Sequence, residues 1–401
     1  MKKGWEIKTL GEVCQFINRG ICPKYMEAGG ACVLNQKCVK NQTINFSLSR
    51  RHDVTAKKIS PERILRYGDV LINSTGTGTL GRVAQLLESP PEVTTVDSHV
   101  TIVRPINNIF HPSFFGYAII AIEEQLQGAG EGCGGQTELA RTKLASDFTV
   151  RYPTSISEQQ RIVAILDEAF EGIAKAKANT EQNLKNAREL FESHLQAVFS
   201  QRGEGWVEER IGDHIRFIDY RGKTPTKTQE GVRLITAKNI KMGYLQEYPK
   251  EYVAPESYSS WMIRGVPRKG DILFTTEAPL ANIAQLDTDE RVVFAQRVII
   301  MQPEATIIDS SFLKYLLMSK PVQAKIHMLG TGATVKGIKA SLLKSILVSF
   351  PEKLSEQKNI VSVFDKLLRK TQRLESIYQR KIAALDELKK SLLHKAFSGE
   401  L

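Results

Sequence analysis

The sequence predicts an α+β protein in which two similar domains of mixed helix and strand are joined by two long helices. The helices are expected to form an antiparallel coiled coil and to give the molecule pseudo-twofold symmetry. Three observations predict this. The 401-residue chain is written twice, at an offset of about 200 residues. The larger part of each half is broken into short β-type runs, and the end of each half is a proline-free stretch with sevenfold apolar spacing.

The repeat is read directly from the residues. Trp5 followed by Leu10-Gly11-Glu12 matches Trp206 followed by Ile211-Gly212-Asp213, and Gly68-Asp69-Val70-Leu71 matches Gly270-Asp271-Ile272-Leu273. Tyr152-Pro153 before Ser157-Glu158-Gln159 matches Phe350-Pro351 before Ser355-Glu356-Gln357, and Phe199-Ser200 matches Phe397-Ser398. A period this long is a duplicated module, because solenoid repeats fall at about 20–50 residues. The boundaries that follow are a first domain at 1–154, a helix at 155–201, a second domain at 202–353 and a second helix at 354–401.

Within the domains, Ala31-Cys32-Val33-Leu34, Val70-Leu71-Ile72, Val100-Thr101-Ile102-Val103, Ile272-Leu273-Phe274 and Val298-Ile299-Ile300-Met301 read as strands. They are short, rich in β-branched residues and bounded by Gly, Pro, Asn or Asp. Helices are expected over 112–124 and 309–325. In the long stretches, Ser157 with Gln160 suggests a capping box, and Ser355 opens the second helix. Ile162, Ala169, Ala176 and Leu190 form one sevenfold row of the first helix, and Leu166, Ile173, Thr180 and Ala187 the other. Ile360, Leu367, Leu374 and Leu388, with Phe364, Thr371, Tyr378, Leu385 and Leu392, do the same in the second. A seven-residue apolar repeat lets two helices wrap with knobs in holes.

Composition narrows the function classes. There are 55 Lys and Arg against 44 Asp and Glu, for a net charge of +11 and a pI near 9.3. That balance suits a nucleic-acid binder, since neutralising phosphates releases counterions; charge alone leaves a merely basic soluble protein open. No apolar run reaches the roughly 18 residues needed to span a bilayer, and no apolar stretch follows the basic start, so a cytoplasmic protein is expected. Cys14, Cys22, Cys32, Cys38 and Cys133 lack CxxC spacing and have no counterparts in the second half. Neither a zinc site nor a disulfide framework is expected.

No motif assembles catalytic chemistry. Gly76-Thr77-Gly78-Thr79-Leu80-Gly81, with Asp97 beyond it, imitates a dinucleotide fingerprint. The fingerprint needs a helix after the glycines to aim its N-terminus at pyrophosphate, whereas 82–87 reads as a strand. The duplicate, Thr275-Thr276-Glu277-Ala278-Pro279-Leu280, lacks the glycines altogether. A second glycine cluster at 128–135, with Gln136-Thr137, matches 330–337, which contains Lys336. Both clusters fall just before the final strand of their domain, as a surface loop or as a backbone approach to nucleic acid. There is no GxxxxGK[ST] sequence, no Asp/Asn-Pro-Pro-aromatic run and no Gly-x-Ser-x-Gly elbow, so no cofactor and no enzymatic activity are expected.

Two basic loops carry more information. Asn18-Arg19-Gly20-Ile21-Cys22-Pro23-Lys24 lies at the same place in its half as Arg221-Gly222-Lys223-Thr224-Pro225-Thr226-Lys227. Behind them, Asn35-Gln36-Lys37 is matched to Ala237-Lys238-Asn239. Arg and Lys suit guanine O6/N7 or phosphate, and Asn and Gln suit adenine N6/N7. The candidate DNA-contacting set is therefore Arg19, Lys24, Gln36, Lys37, Thr75, Thr77, Arg82, Gln136, Arg221, Lys223, Lys227, Lys238, Asn239 and Lys336.

Taken together, the plan resembles the specificity subunit of type I restriction–modification systems. The resemblance lies in two variable domains, each followed by a helix opening in Ser-Glu-Gln and closing near Phe-Ser. It lies also in Arg19-Gly20-Ile21 through Asn35-Gln36-Lys37-Cys38, in Asn73-Ser74-Thr75-Gly76-Thr77-Gly78, and in the terminal Ala396-Phe397-Ser398-Gly399-Glu400-Leu401. It covers essentially the whole chain. It implies that each domain reads one half of an asymmetric bipartite site in double-stranded DNA, with the helices as spacer. The partners implied are two modification subunits, which methylate adenine N6, and restriction subunits that act as motor and nuclease. Two other readings remain at this point: a coiled-coil scaffold with no DNA role, and a stand-alone methyltransferase that binds S-adenosylmethionine.

Overall fold

The computed structural model describes residues 3–132, 137–201, 203–220, 224–332 and 334–401. The chain divides into two compact units, Met1–Thr180 with Arg380–Leu401, and Glu181–Gln379. Each long helix therefore gives one of its halves to each unit.

In the first unit a four-stranded antiparallel sheet runs in the order Cys14–Arg19, Val100–Pro105, Val70–Asn73, Val83–Gln85. Side chains alternate with period two, so the sheet presents one face to each of two cores. Val70, Ile72, Val83 and Val103 face one core, while Leu71, Ala84, Val100 and Ile102 face another. The first core lies under the helices: Phe114, Phe115 and Ile119 of Pro112–Ala121 meet Ile162, Val163 and Leu166 of the first long helix and Leu393 and Ala396 of the second. The other core is closed by a second sheet, ordered Thr94–Val96, Ala31–Leu34, Arg50–His52, Tyr25–Met26, whose first pair is parallel. An outlying antiparallel pair, Trp5–Thr9 with Thr149–Pro153, leads the chain into the first long helix.

The second unit repeats this plan. Its sheet is ordered Ile215–Asp219, Val298–Pro303, Ile272–Thr275, Ile283–Gln285, and Val232–Ile235 pairs parallel to Val292–Phe294 in the covering sheet. Ile272 and Phe274 face the helix side, and Leu273 faces the covering sheet.

The long helices are Ile156–Ser200 and Leu354–Ser398. Within each unit their halves run antiparallel. In the first unit Arg161 donates to the Leu401 carbonyl at 2.9 Å and Lys177 pairs with Asp386 at 2.6 Å. In the second, Arg188 meets Glu375 at 3.3 Å and Phe191 packs edge-on against Phe364. Leu166, Ile173, Thr180 and Ala187 lie inward or nearly so, as their row predicts.

Four expectations need correction. Leu190 and Leu388 are 51% and 47% exposed, and Phe191, Leu195, Phe199, Leu393 and Ala396 are buried instead. Toward these ends each helix packs on a domain core as well as on its partner, so the buried stripe follows the 3.6-residue period rather than the sevenfold row. The caps are displaced too. Ser155 lies outside the first helix and its Oγ accepts from Glu158 N at 3.4 Å, so Ser157 sits inside the first turn, as Ser355 does in the second helix. The helix expected over 309–325 is two helices, Ser310–Met318 and Lys320–Leu329, broken where Ser319 turns extended ahead of Pro321 at the start of the next. Finally, the glycine clusters are separated from the last strands by short helices, Arg141–Asp147 and Ala340–Lys344.

Candidate nucleic-acid interface

In each unit the candidate loops gather where the strands of the two sheets end. In the second unit Thr236–Asn239 leaves the strand Val232–Ile235, and the loop from Thr276 leaves Ile272–Thr275. Residues 295–297 connect the edge strand Val292–Phe294 to the central strand Val298–Pro303. The glycine-rich loop joins them through a bridge between Glu277 and Gly337 and a pair of hydrogen bonds between Thr331 and Gly337, each 2.9 Å. Two open clefts result. One is lined by Lys227, Lys238 and Ala278, the other by Thr276, Thr331 and Lys339; Gln296 and Arg297 border both.

The first unit builds the same frame. Thr75 bridges Glu138, and Ser74 N donates to His99 O at 2.8 Å, as Thr276 N does to Arg297 O at 2.9 Å. Position 75 thus corresponds to 277 and position 99 to 297. The frame also corrects the register behind the basic loops. Cys38 N returns to Asn35 O at 2.8 Å and Asn239 N to Thr236 O at 3.0 Å. Lys37 therefore corresponds to Lys238, and Cys38 to Asn239, one residue away from the sequence match.

The structure sorts the candidates by what their side chains already hold. Lys24, Lys37, Lys238 and Lys336 are exposed and make no ion pair among the described residues. Arg19 is half-engaged: its guanidinium pairs with Glu138 at 2.6 Å and donates to Leu139 O at 3.3 Å. Lys227 pairs with Glu251 at 2.8 Å, and Arg82 donates to Gly78 O at 2.7 Å. Gln36 is held by Thr79, whose Oγ1 donates to its Oε1 at 2.9 Å, and Thr75 Oγ1 lies 2.8 Å from His99 Nδ1. Thr77 is exposed beside them on the same loop.

Asn239 does not belong on the list. It is wholly buried, its Oδ1 accepting from Thr236 N and Oγ1 at 3.0 Å and its Nδ2 donating to Pro249 O at 2.9 Å. Every polar atom of its side chain is spent on the turn, which is what holds Lys238 outward. Gln136, Arg221 and Lys223 lie outside the described residues.

The glycines at 76, 78 and 81 have φ of +101°, +76° and +74°, so they serve a tight turn. A Cβ on Gly81 would stand 2.4 Å from Gln127 N. The strand Val83–Gln85 follows, not a helix, and nothing in the loop is arranged as a helix N-terminus for phosphate. Asp97, which completes the imitated fingerprint, is buried; burial pushes its carboxyl above the ordinary range, opposed by the His99 N–H that it accepts at 2.9 Å. Four cysteines, Cys14, Cys22, Cys32 and Cys38, are free thiols, and burial pushes the Cys14 thiol up to about 12. Among the described residues no helix is long and apolar enough to cross a membrane.

Sequence reasoning missed Gln296, Arg297 and His99. The signal was present, since each half places exposed polar residues just before the apolar run of its central strand.

Comparison with known proteins agrees with this layout. The family model described as the type I restriction modification DNA specificity domain matches residues 2–186 and again 204–383. The type I restriction enzyme EcoBI specificity subunit of Escherichia coli is 28% identical over 173 residues, which is 43% of this chain and 36% of that relative. The match therefore spans about a third of that relative's length. A chain solved in work on complex assembly and conformational transition of the type I restriction–modification system superposes with a TM-score of 0.80 at 18% identity, covering 100% of this chain and 99% of that one. The HsdS subunit of Thermoanaerobacter tengcongensis gives 0.61 at 18% identity, over 100% and 98%. At such identities the likeness is one of fold.

Proposed function

This chain belongs to the type I restriction–modification DNA specificity family, with the domain present twice, and on that premise we propose that it reads DNA for partner subunits. Each unit reads one half of an asymmetric bipartite site in double-stranded DNA. The long helices set the distance between half-sites and dock two modification subunits, which methylate adenine N6 and with which restriction subunits join. The chain supplies recognition; the chemistry resides in the partners.

One observation carries this reading. The two units repeat a single backbone frame but dress it with unlike groups: Thr75 and His99 in one, Glu277 and Arg297 in the other. A frame kept while its donors and acceptors change is what two different half-sites require, because each base pair presents its own pattern in the major groove. The free lysines around it suit phosphate, whose contacts position without specifying.

The test is methylome sequencing of cells that express the chain with its modification subunit. The expected motif has two unlike specified halves around an unspecified spacer. Inserting four residues after Lys175 lengthens the first helix by about 6 Å, so the spacer grows by one or two base pairs while both halves persist. A continuous or palindromic motif would overturn the reading.

A further inference from the structure

We propose that Arg297 is a specificity-determining residue of the second unit, that it reads a guanine, and that Glu277 holds it in position. The inference rests on the DNA-reading role proposed above and names the residue that performs it in one half.

Arg297 stands at the head of Val298–Pro303, the central strand of its sheet, paired on both sides by Ile215–Asp219 and Ile272–Thr275. Ile299 and Ile300, just behind it, are fully buried. Its carbonyl accepts from Thr276 N at 2.9 Å, so the short turn that carries the side chain is tied to the end of the neighbouring strand. Its φ is +77°, a left-handed conformation that a bulky residue rarely adopts and that is enriched at ligand-contacting positions. That backbone places the side chain between the two clefts, both of which it lines.

The side chain is held by one exposed partner. Its Nε meets Glu277 Oε1 at 2.8 Å, with 45% and 40% of the two side chains exposed. An exposed pair of this kind contributes little stability, so a base can take over the guanidinium with little loss. The planar fork of donors matches O6 and N7 of guanine, and a carboxylate beside it accepts from cytosine N4. Arg297 and Glu277 together therefore offer the complement of one G·C pair. The corresponding positions of the first unit hold His99 and Thr75, 2.8 Å apart, which cannot make that bidentate contact.

The test uses the chain assembled with its modification subunit and a pool of duplexes randomised across the second half-site. With R297A, one position that is guanine for the wild type should lose about 5- to 150-fold of its discrimination, and the first half-site should be read as before. R297K keeps the charge but not the fork, so it should show the same relaxation. The unaltered first half-site in the same complex reports that each variant is folded and assembled. E277Q should keep the preferred base with reduced discrimination, and E277D should restore part of it. The proposal is overturned if R297A weakens every sequence alike and R297K repairs it, which marks a phosphate contact, or if discrimination is unchanged. If the wild-type complex itself shows no salt-dependent binding to duplex, the DNA-reading role fails first, and the two failures are told apart.

Discussion

Gln159 pins the first domain to its helix, and its removal tests how that joint is made. The side chain is fully buried, accepts from His111 N at 2.7 Å, and donates to Ile109 O at 3.0 Å and Pro153 O at 2.9 Å. One amide thus satisfies the turn before the helix Pro112–Ala121 and the end of the last strand. Alanine would leave an N–H and two carbonyls inside with no partner. At about 1–3 kcal/mol for a buried group left unsatisfied, with carbonyls toward the low end, the loss should be about 3–5 kcal/mol. For a unit of this size 1 kcal/mol moves the melting midpoint by about 2–4 °C, so calorimetry should show a fall of about 10 °C. Gln357 repeats the arrangement with Asp309 N at 2.8 Å, Ile307 O at 2.9 Å and Pro351 O at 2.8 Å, so Q357A should cost as much. Q159E should be no better than alanine, because a carboxylate cannot donate to the two carbonyls. A loss under about 1 kcal/mol, or full stability in Q159E, would refute the reasoning.

Two more predictions concern buried polar groups. Arg104 binds Asp69 through two contacts of 2.7 Å with both side chains nearly sealed, so R104A strands a buried carboxylate and should cost about 3–5 kcal/mol by urea unfolding. R104Q should recover part of that loss, since Gln302 fills the corresponding place on Asp271 at 2.6 Å. Burial first, and then the carboxylates of Asp167 and Asp365, push the phenols of Tyr117 and Tyr315 well above the ordinary tyrosine range. A raised folded-state value means stability that is complete below the unfolded value of about 10 and is lost as pH rises past it. Denaturant unfolding across that window should therefore show falling stability, and Y117F together with Y315F should flatten the slope.

The fold was legible because its signals are local and repeated. Val70-Leu71-Ile72 and Ile272-Leu273-Phe274 announce strands by composition, and the apolar rows of the long stretches announce helices even where the detailed stripe differs. What eluded the sequence depends on packing across long separations. Leu190 matches the sevenfold row, but nothing local tells that Phe191 meets Tyr315 and Phe364. The site was half legible. Exposed lysines on turns could be named from residue type, whereas Asn239 looks like a base-reading amide until the turn around it shows both ends of the side chain in use. Arg297 was passed over for the opposite reason: its loop has no glycine or proline to mark it, and polar residues ahead of an apolar run are a weak signal until the repeated bond from position 276 identifies their place.

The repeat also separates two kinds of contact before any complex is seen. Residues that serve packing keep their chemistry in both units: Gln159 and Gln357, Tyr117 and Tyr315, Asp69 and Asp271. On the loop face the same comparison reads differently, since no core constrains those side chains. Positions 75 and 277, and 99 and 297, differ in donors and acceptors, while Lys37 and Lys238 are alike, exposed and without an ion pair among the described residues. If the two units read unlike half-sites, as proposed, a group that is the same in both cannot be reading the base that differs, but it can hold the phosphate that is always there. K37A and K238A should therefore each weaken binding to every duplex and lower the slope of log K against log salt by about 0.9, leaving the methylated motif unchanged. If either variant instead relaxes one base of its half-site at constant salt slope, the shared lysines read sequence and the division between frame, phosphate and base contacts fails.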